Sequence, residues 1–136
     1  MKKTLAALAL LALASPAFAA DPIDGRWITE EKDAVITIGD CGSSTCGKIT
    51  KFLKAPPQGA GQRDVNNSNP KLRSRKLLGM PVLTGFTEES DLWRGEIYDP
   101  KGGKTYRSVI RRKGNTLEVK GCLGPFCQTQ IWRRAG

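Results

Sequence analysis

Leu92-Trp93-Arg94-Gly95-Glu96-Ile97-Tyr98-Asp99-Pro100-Lys101-Gly102-Gly103-Lys104-Thr105-Tyr106 is the stretch on which the fold turns. Two runs rich in aromatic and β-branched residues flank an Asp-Pro start and a Gly-Gly finish, the signature of two antiparallel strands joined by a tight turn. Trp93, Gly95 and Ile97 fall on one face of the first run, and Leu92, Arg94, Glu96 and Tyr98 on the other. Lys104, Tyr106 and Ser108 share a face in the second run. These mixed faces either meet solvent or line something.

Outward from this hairpin the same rhythm repeats. Strand-like runs occur at 26–29, 34–38, 48–53, 81–87, 92–98, 104–112, 116–120 and 128–133, mostly separated by short turn segments such as Lys113-Gly114-Asn115. Ala34, Ile36 and Ile38 alternate with polar neighbours, as do Leu117 and Val119, which predicts one buried face. Only residues 54–80 break the pattern, with Pro56-Pro57 and then Asp64-Val65-Asn66-Asn67-Ser68-Asn69-Pro70. Asn69 is suited to cap a helix with Pro70 at its first position, predicting one or two helical turns over 71–78, ended by Gly79. Eight antiparallel strands with short connections close most simply into an all-β up-and-down barrel, which leaves no exposed edge; a two-sheet sandwich is the rival. The expected architecture is therefore an eight-stranded barrel with one short helix in the long loop after strand 3.

Residues 1–19 read as a cleaved secretory signal. Lys2 and Lys3 lead an apolar run at 5–14, and Ala17-Phe18-Ala19 supplies small residues at the cleavage positions. That run is half the roughly 20 residues needed to span a bilayer, and no second one follows, so no transmembrane segment is expected in the mature protein. The product is a single domain, 20–136, in the periplasm or secreted. Loss of Lys2 and Lys3 changes 22 basic against 13 acidic residues, +9, into 20 against 13, or +7. Such a balance favours anionic partners, including an envelope polymer. Nucleic acid is not expected, because the charges are scattered and lack interleaved aromatics.

The four cysteines form two equally spaced pairs, Cys41 with Cys46 and Cys122 with Cys127. In an oxidising compartment an even count reads as disulfides, and of the three pairings the two local ones need only a turn. Zinc is disfavoured by the absence of histidine and by the long spacing, and a redox pair by the lack of Cys-x-x-Cys. No metal and no cofactor is expected.

The absence of histidine also removes the commonest general base and the Ser/His and Cys/His nucleophile systems. Glu96 with Asp99 or Asp64 could be drawn as an acid and base, but nothing in their spacing favours it. Asp64-x-Asn66-x-Ser68 matches the start of a calcium loop, yet Asn69 replaces its glycine and Arg75 its glutamate. No catalytic residue is assigned, and the chain is read as not an enzyme. Arg73 and Arg75, beside a barrel mouth, could grip a carboxylate or phosphate. With Arg94, Glu96, Tyr98, Lys104 and Tyr106 they are the candidate ligand contacts, and Asp64, Asn67 and Asn69 are candidate loop and cap residues.

Gly25-x-Trp27 near the start and Trp132-Arg133 near the end resemble the lipocalin arrangement, in which a first-strand Trp closes the barrel floor beneath a C-terminal Arg. A narrower resemblance runs along the mature chain. Asp64-x-x-Asn67-x-Asn69-Pro70, Arg73-x-Arg75, Leu78-Gly79, Trp93-x-Gly95-x-Ile97-Tyr98-Asp99-Pro100, Gly103-Lys104-x-Tyr106, Leu117-x-Val119-x-Gly121 and Thr129-Gln130-x-Trp132-x-Arg134 are similar to the exported bacterial DUF2147 family. That likeness implies a lipocalin-like barrel outside the cytoplasm and names no reaction. Two functions follow as expectations: a binding protein holding a small amphipathic or anionic ligand at the barrel mouth, or an envelope module docking an anionic polymer or partner protein through its basic surface.

Overall fold

The computed structural model describes residues 19–136, so the signal expected over 1–19 lies, but for Ala19, outside the described residues. Eight strands, β1 (Gly25–Ile28), β2 (Ala34–Asp40), β3 (Thr45–Phe52), β4 (Pro81–Glu89), β5 (Leu92–Asp99), β6 (Lys104–Lys113), β7 (Thr116–Leu123) and β8 (Phe126–Arg134), follow one another antiparallel and close into a barrel. Closure is made by β1 against β8, with Trp27 opposite Arg134 and Ile28 opposite Arg133. Each expected strand is present. The last two run further than expected because Cys122 and Cys127 face each other across the β7–β8 hairpin and pairing continues to Leu123 and Phe126. Both local disulfides, Cys41–Cys46 and Cys122–Cys127, are formed. Each removes about 2 kcal/mol of loop entropy from the unfolded chain.

Alternation decides what the barrel encloses. Ala34, Ile36 and Ile38 from β2, Leu117 and Val119 from β7, and Ile110 from β6 meet Trp27, Ile49, Leu83, Phe86 and Trp132 in one buried cluster. Burying each large apolar side chain contributes about 1.5–3 kcal/mol, so this cluster is the main source of stability. Trp93 and Ile97 pack against it, and Phe86 crosses Gly95 so closely that an added Cβ would lie 2.7 Å from its ring. Arg94, Glu96 and Tyr98 therefore stand on the outer wall. Tyr106 and the buried Ser108 lie on the inner one, opposite Ile97 and Gly95.

The two ends differ. At the first, residues 21–24 lie across the opening: the Trp27 indole N–H donates to Ile23 O at 2.9 Å, Trp93 to Asp21 O at 3.0 Å, and Arg112 to Pro22 O at 2.8 Å. Trp27 is wholly buried, with the guanidinium groups of Arg134 and Arg112 at 5.1 and 5.5 Å from its ring. The floor expected from Gly25, Trp27 and Trp132 is thus present, but its cation is Arg134, not Arg133. The reason is the strand period of two: Arg134 shares the face of Trp132 and reaches the Trp27 ring, while Arg133 stands on the other face. Gly25 is favoured here by its backbone, since φ +130° is a conformation that residues with side chains rarely adopt.

The second end carries the β1–β2 turn, residues 54–80, and the β5–β6 and β7–β8 turns. Lys101 crosses it to pair with Glu31 and Asp33, the latter at 3.2 Å. The long loop contains no α-helix. Asn69 caps through Lys71 N at 3.1 Å and Pro70 opens the turn as expected, but the turn is a single 3₁₀ element, Pro70–Leu72. A second such element is Gly59–Gly61. The expected helix stops because its backbone has partners elsewhere: Asp64 N donates to Arg75 O at 2.9 Å and Leu77 N to Gln62 O at 3.0 Å. These bonds clip the two limbs of the loop together around an Arg63–Lys76 bridge.

Candidate functional site

Inside that clip sits one carboxylate. Asp64 is buried, with its side chain fully shielded, and accepts three hydrogen bonds: from the Tyr98 hydroxyl at 2.5 Å, Asn67 Nδ2 at 2.8 Å and Arg75 Nε at 3.0 Å. A buried charge is tolerated only when paired and hydrogen-bonded, and here both conditions hold. Arg75 also stacks over Tyr98, its guanidinium 5.4 Å from the ring centre. Burial, and then the bond to the Asp64 carboxylate, pushes the Tyr98 hydroxyl up to about 12. Tyr98 is held neutral, as a donor.

The network extends outward through the loop. Asn67 Oδ1 accepts from Asn69 N at 2.8 Å, and Arg73 Nε donates to Asn67 O at 2.8 Å. Ser68 Oγ donates to Gly103 O at 2.7 Å, and Asn66 Nδ2 to Lys101 O at 3.2 Å. The loop rests so tightly on the β5–β6 turn that a Cβ on Gly103 (φ +70°) would lie 1.7 Å from Asn66 O. Gly103 is the residue that lets the loop dock there.

Between this docked loop and the outer wall of β4–β6 lies an open cleft of about 500 Å³. Thr84, Glu96 and Thr105 floor it, Leu72 and Pro81 supply apolar sides, and Leu123 reaches its rim. Arg75 and Lys104 bring positive charge to the same space. Of the residues expected from sequence, Asp64, Asn67, Asn69, Arg73, Arg75 and Tyr98 come together as one network, and Glu96 and Lys104 join its cleft. Two do not. Arg94 pairs with Glu89 at 2.8 Å next to the β4–β5 turn, and Tyr106 lies on the opposite side of the wall.

Sequence reasoning missed the cleft residues Ser68, Leu72, Pro81, Thr84, Thr105 and Leu123. Ser68 had a signal in its place within a run of turn formers; Leu72 and Leu123 had none, since their neighbours are set by long-range docking. A second concavity, of about 420 Å³, lies by Asn115, Thr116, Arg133 and Arg134.

A closed eight-stranded barrel with a Trp–Arg floor and a loop over one end defines a lipocalin-like protein. The particular family is shown by sequence: residues 25–134 match the bacterial family described as uncharacterized protein conserved in bacteria (DUF2147), and the chain belongs to it. Among solved structures it is similar to protein HP1028 from the human pathogen Helicobacter pylori, described as belonging to the lipocalin family. The two are 22% identical with a TM-score of 0.70, over 85% of this chain and 84% of that one. No curated protein matches.

Proposed function

We propose that this chain is an exported, non-enzymatic binding protein that holds a small amphipathic anion in the cleft beside the barrel mouth. The observation that carries the reading is the lining of that cleft, where Arg75 and Lys104 stand next to Leu72, Pro81 and Leu123. Its volume, about 500 Å³, falls within the range of small-molecule sites. Trp27, Phe86, Ile110, Leu117 and Trp132 fill the floor half of the interior, which leaves the mouth end for a ligand. Arg75 is already oriented by Asp64 and Tyr98, so it offers its outer N–H groups to a carboxylate without further ordering. Two disulfides fit folding in an oxidising compartment, and with the signal-like segment they favour the periplasm or secretion.

Native mass spectrometry of protein released from the periplasm, followed by calorimetric titration with dodecanoate, tests the reading. A co-purifying or titrating anion is expected, with affinity lowered roughly tenfold by Lys104→Glu, which reverses the charge beside the bound anion and weakens further with salt. An empty barrel that gives no heat with dodecanoate rejects it. So does unchanged affinity in the Lys104→Glu protein.

A further inference from the structure

The β7–β8 hairpin is the one part of the barrel that leaves an apolar tip in solvent. β7 pairs with β6 only as far as Cys122, opposite Arg107, and β8 pairs with β1 only at Arg133 and Arg134. Beyond those points no strand ladder ties the hairpin to its neighbours. Its tip, Leu123-Gly124-Pro125-Phe126, carries no charge. Phe126 is 80% exposed and Leu123, directly opposite it, 58%. Leaving an aromatic ring so exposed forgoes most of its burial energy within the folded chain. Two constraints nevertheless fix the tip: the Cys122–Cys127 disulfide at its base, and Arg107 Nη2, which donates to Gly124 O at 2.9 Å. Around that base stand Lys104, Arg107 and Lys120, all exposed and none in an ion pair among the described residues.

An uncharged apolar point above a collar of cations is complementary to one surface in particular, a bilayer whose headgroups are anionic and whose acyl region begins a few ångströms below. We infer that this hairpin docks the protein reversibly on anionic phospholipid membranes, with Phe126 and Leu123 entering the headgroup–acyl boundary and Lys104, Arg107 and Lys120 meeting phosphates. A hairpin of this size supplies two apolar side chains and three charges, enough for transient attachment and too little for permanent anchoring. The disulfide's part is to hold the tip in its inserting shape beforehand, so that binding does not have to order it. A barrel positioned this way has its mouth, and with it the cleft, close to the membrane; the docking shares Lys104 and Leu123 with the cleft, whereas Phe126 and Lys120 lie outside it.

Co-sedimentation of the mature protein with vesicles of phosphatidylcholine alone, and of phosphatidylcholine with one-third phosphatidylglycerol, tests the inference. Phe126→Ser is the informative variant: Phe126 is exposed and does not line the cleft, so the fold and any cleft ligand should be untouched, which near-UV circular dichroism and the dodecanoate titration check. The expected results are partition onto the phosphatidylglycerol vesicles only, a loss of about tenfold in Phe126→Ser, a loss of roughly fivefold in Lys120→Gln, and weakening with added salt. Failure of the wild-type protein to sediment overturns the inference. Equal sedimentation of Phe126→Ser and wild type also overturns it, since charge alone would then account for binding. A lipid-free dimer that Phe126→Ser abolishes overturns it as well, because the exposed β8 edge would then pair with a second copy.

Discussion

The two ends of this barrel are closed with a different share of polar chemistry. At the floor, Trp27 fills the opening and two guanidinium groups stack on it, so the seal is apolar burial with cations as its outer layer. At the mouth, a 27-residue connection at 54–80 is held by a buried carboxylate and its three donors, with Leu77 and Met80 at its end joining the apolar cluster, so the closure adds directional bonds to burial. An apolar plug is non-directional and belongs to the same cooperative unit as the core. A polar clip depends on every member being satisfied, and it can open locally while the barrel stays folded. The loop end is therefore the one whose closure should be undone first.

The largest test of that contrast is Trp27→Ala. Removing the floor plug should lower stability by about 3–5 kcal/mol in urea unfolding, with all spectroscopic probes moving together. Next comes Asp64→Ala, which strands the Arg75 guanidinium and leaves Asn67 and Tyr98 without their acceptor. A loss of about 3 kcal/mol is expected, accompanied by new proteolytic cleavage within 54–80 while the near-UV signal of the tryptophans persists. If Asp64→Ala abolishes that signal as Trp27→Ala does, the two ends are one unit and the contrast fails.

Smaller is Tyr98→Phe, which removes one charge-assisted bond and should cost about 1.5–3 kcal/mol near neutrality. The folded-state value of Tyr98, about 12, lies above that of an unfolded tyrosine, near 10. Its stabilisation is therefore complete below pH 10 and disappears as pH rises through 12. Wild type and Tyr98→Phe should converge in stability over that window, and a constant gap to pH 12 would contradict the neutral-donor role. Smallest is Lys101→Ala. Its pairs with Glu31 and Asp33 are largely exposed, so a change below about 1 kcal/mol, further reduced by salt, is expected.

Strand order and the inward set were readable because each hairpin carries its own turn residues and each strand its own period of two. Residues 92–106 fixed their neighbours with no information from elsewhere. The loop was readable only in part. Asn69-Pro70 opens a turn by local rules, but the turn ends where it does because Gln62 and Asp64, far along the chain, take the backbone groups that a helix needs. Local propensity carries no trace of that competition. The Arg133 assignment failed differently: Trp132 and Arg134 share a face by alternation alone, so the residue over Trp27 was legible in the strand period itself. The candidate contacts divided for the same reason, with Glu96 and Tyr98 outward and Tyr106 inward. Leu72 and Leu123 belong to the cleft through docking that no local pattern encodes.

The most direct test of ligand capture at the mouth is a titration of ¹⁵N-labelled protein with dodecanoate followed by amide chemical shifts. Saturable changes confined to Leu72, Arg75, Thr84, Tyr98, Lys104 and Thr105, with the amides of Gly25, Trp27 and Arg134 unmoved, are the predicted result. Changes centred on the floor, or none at saturating dodecanoate, would contradict it.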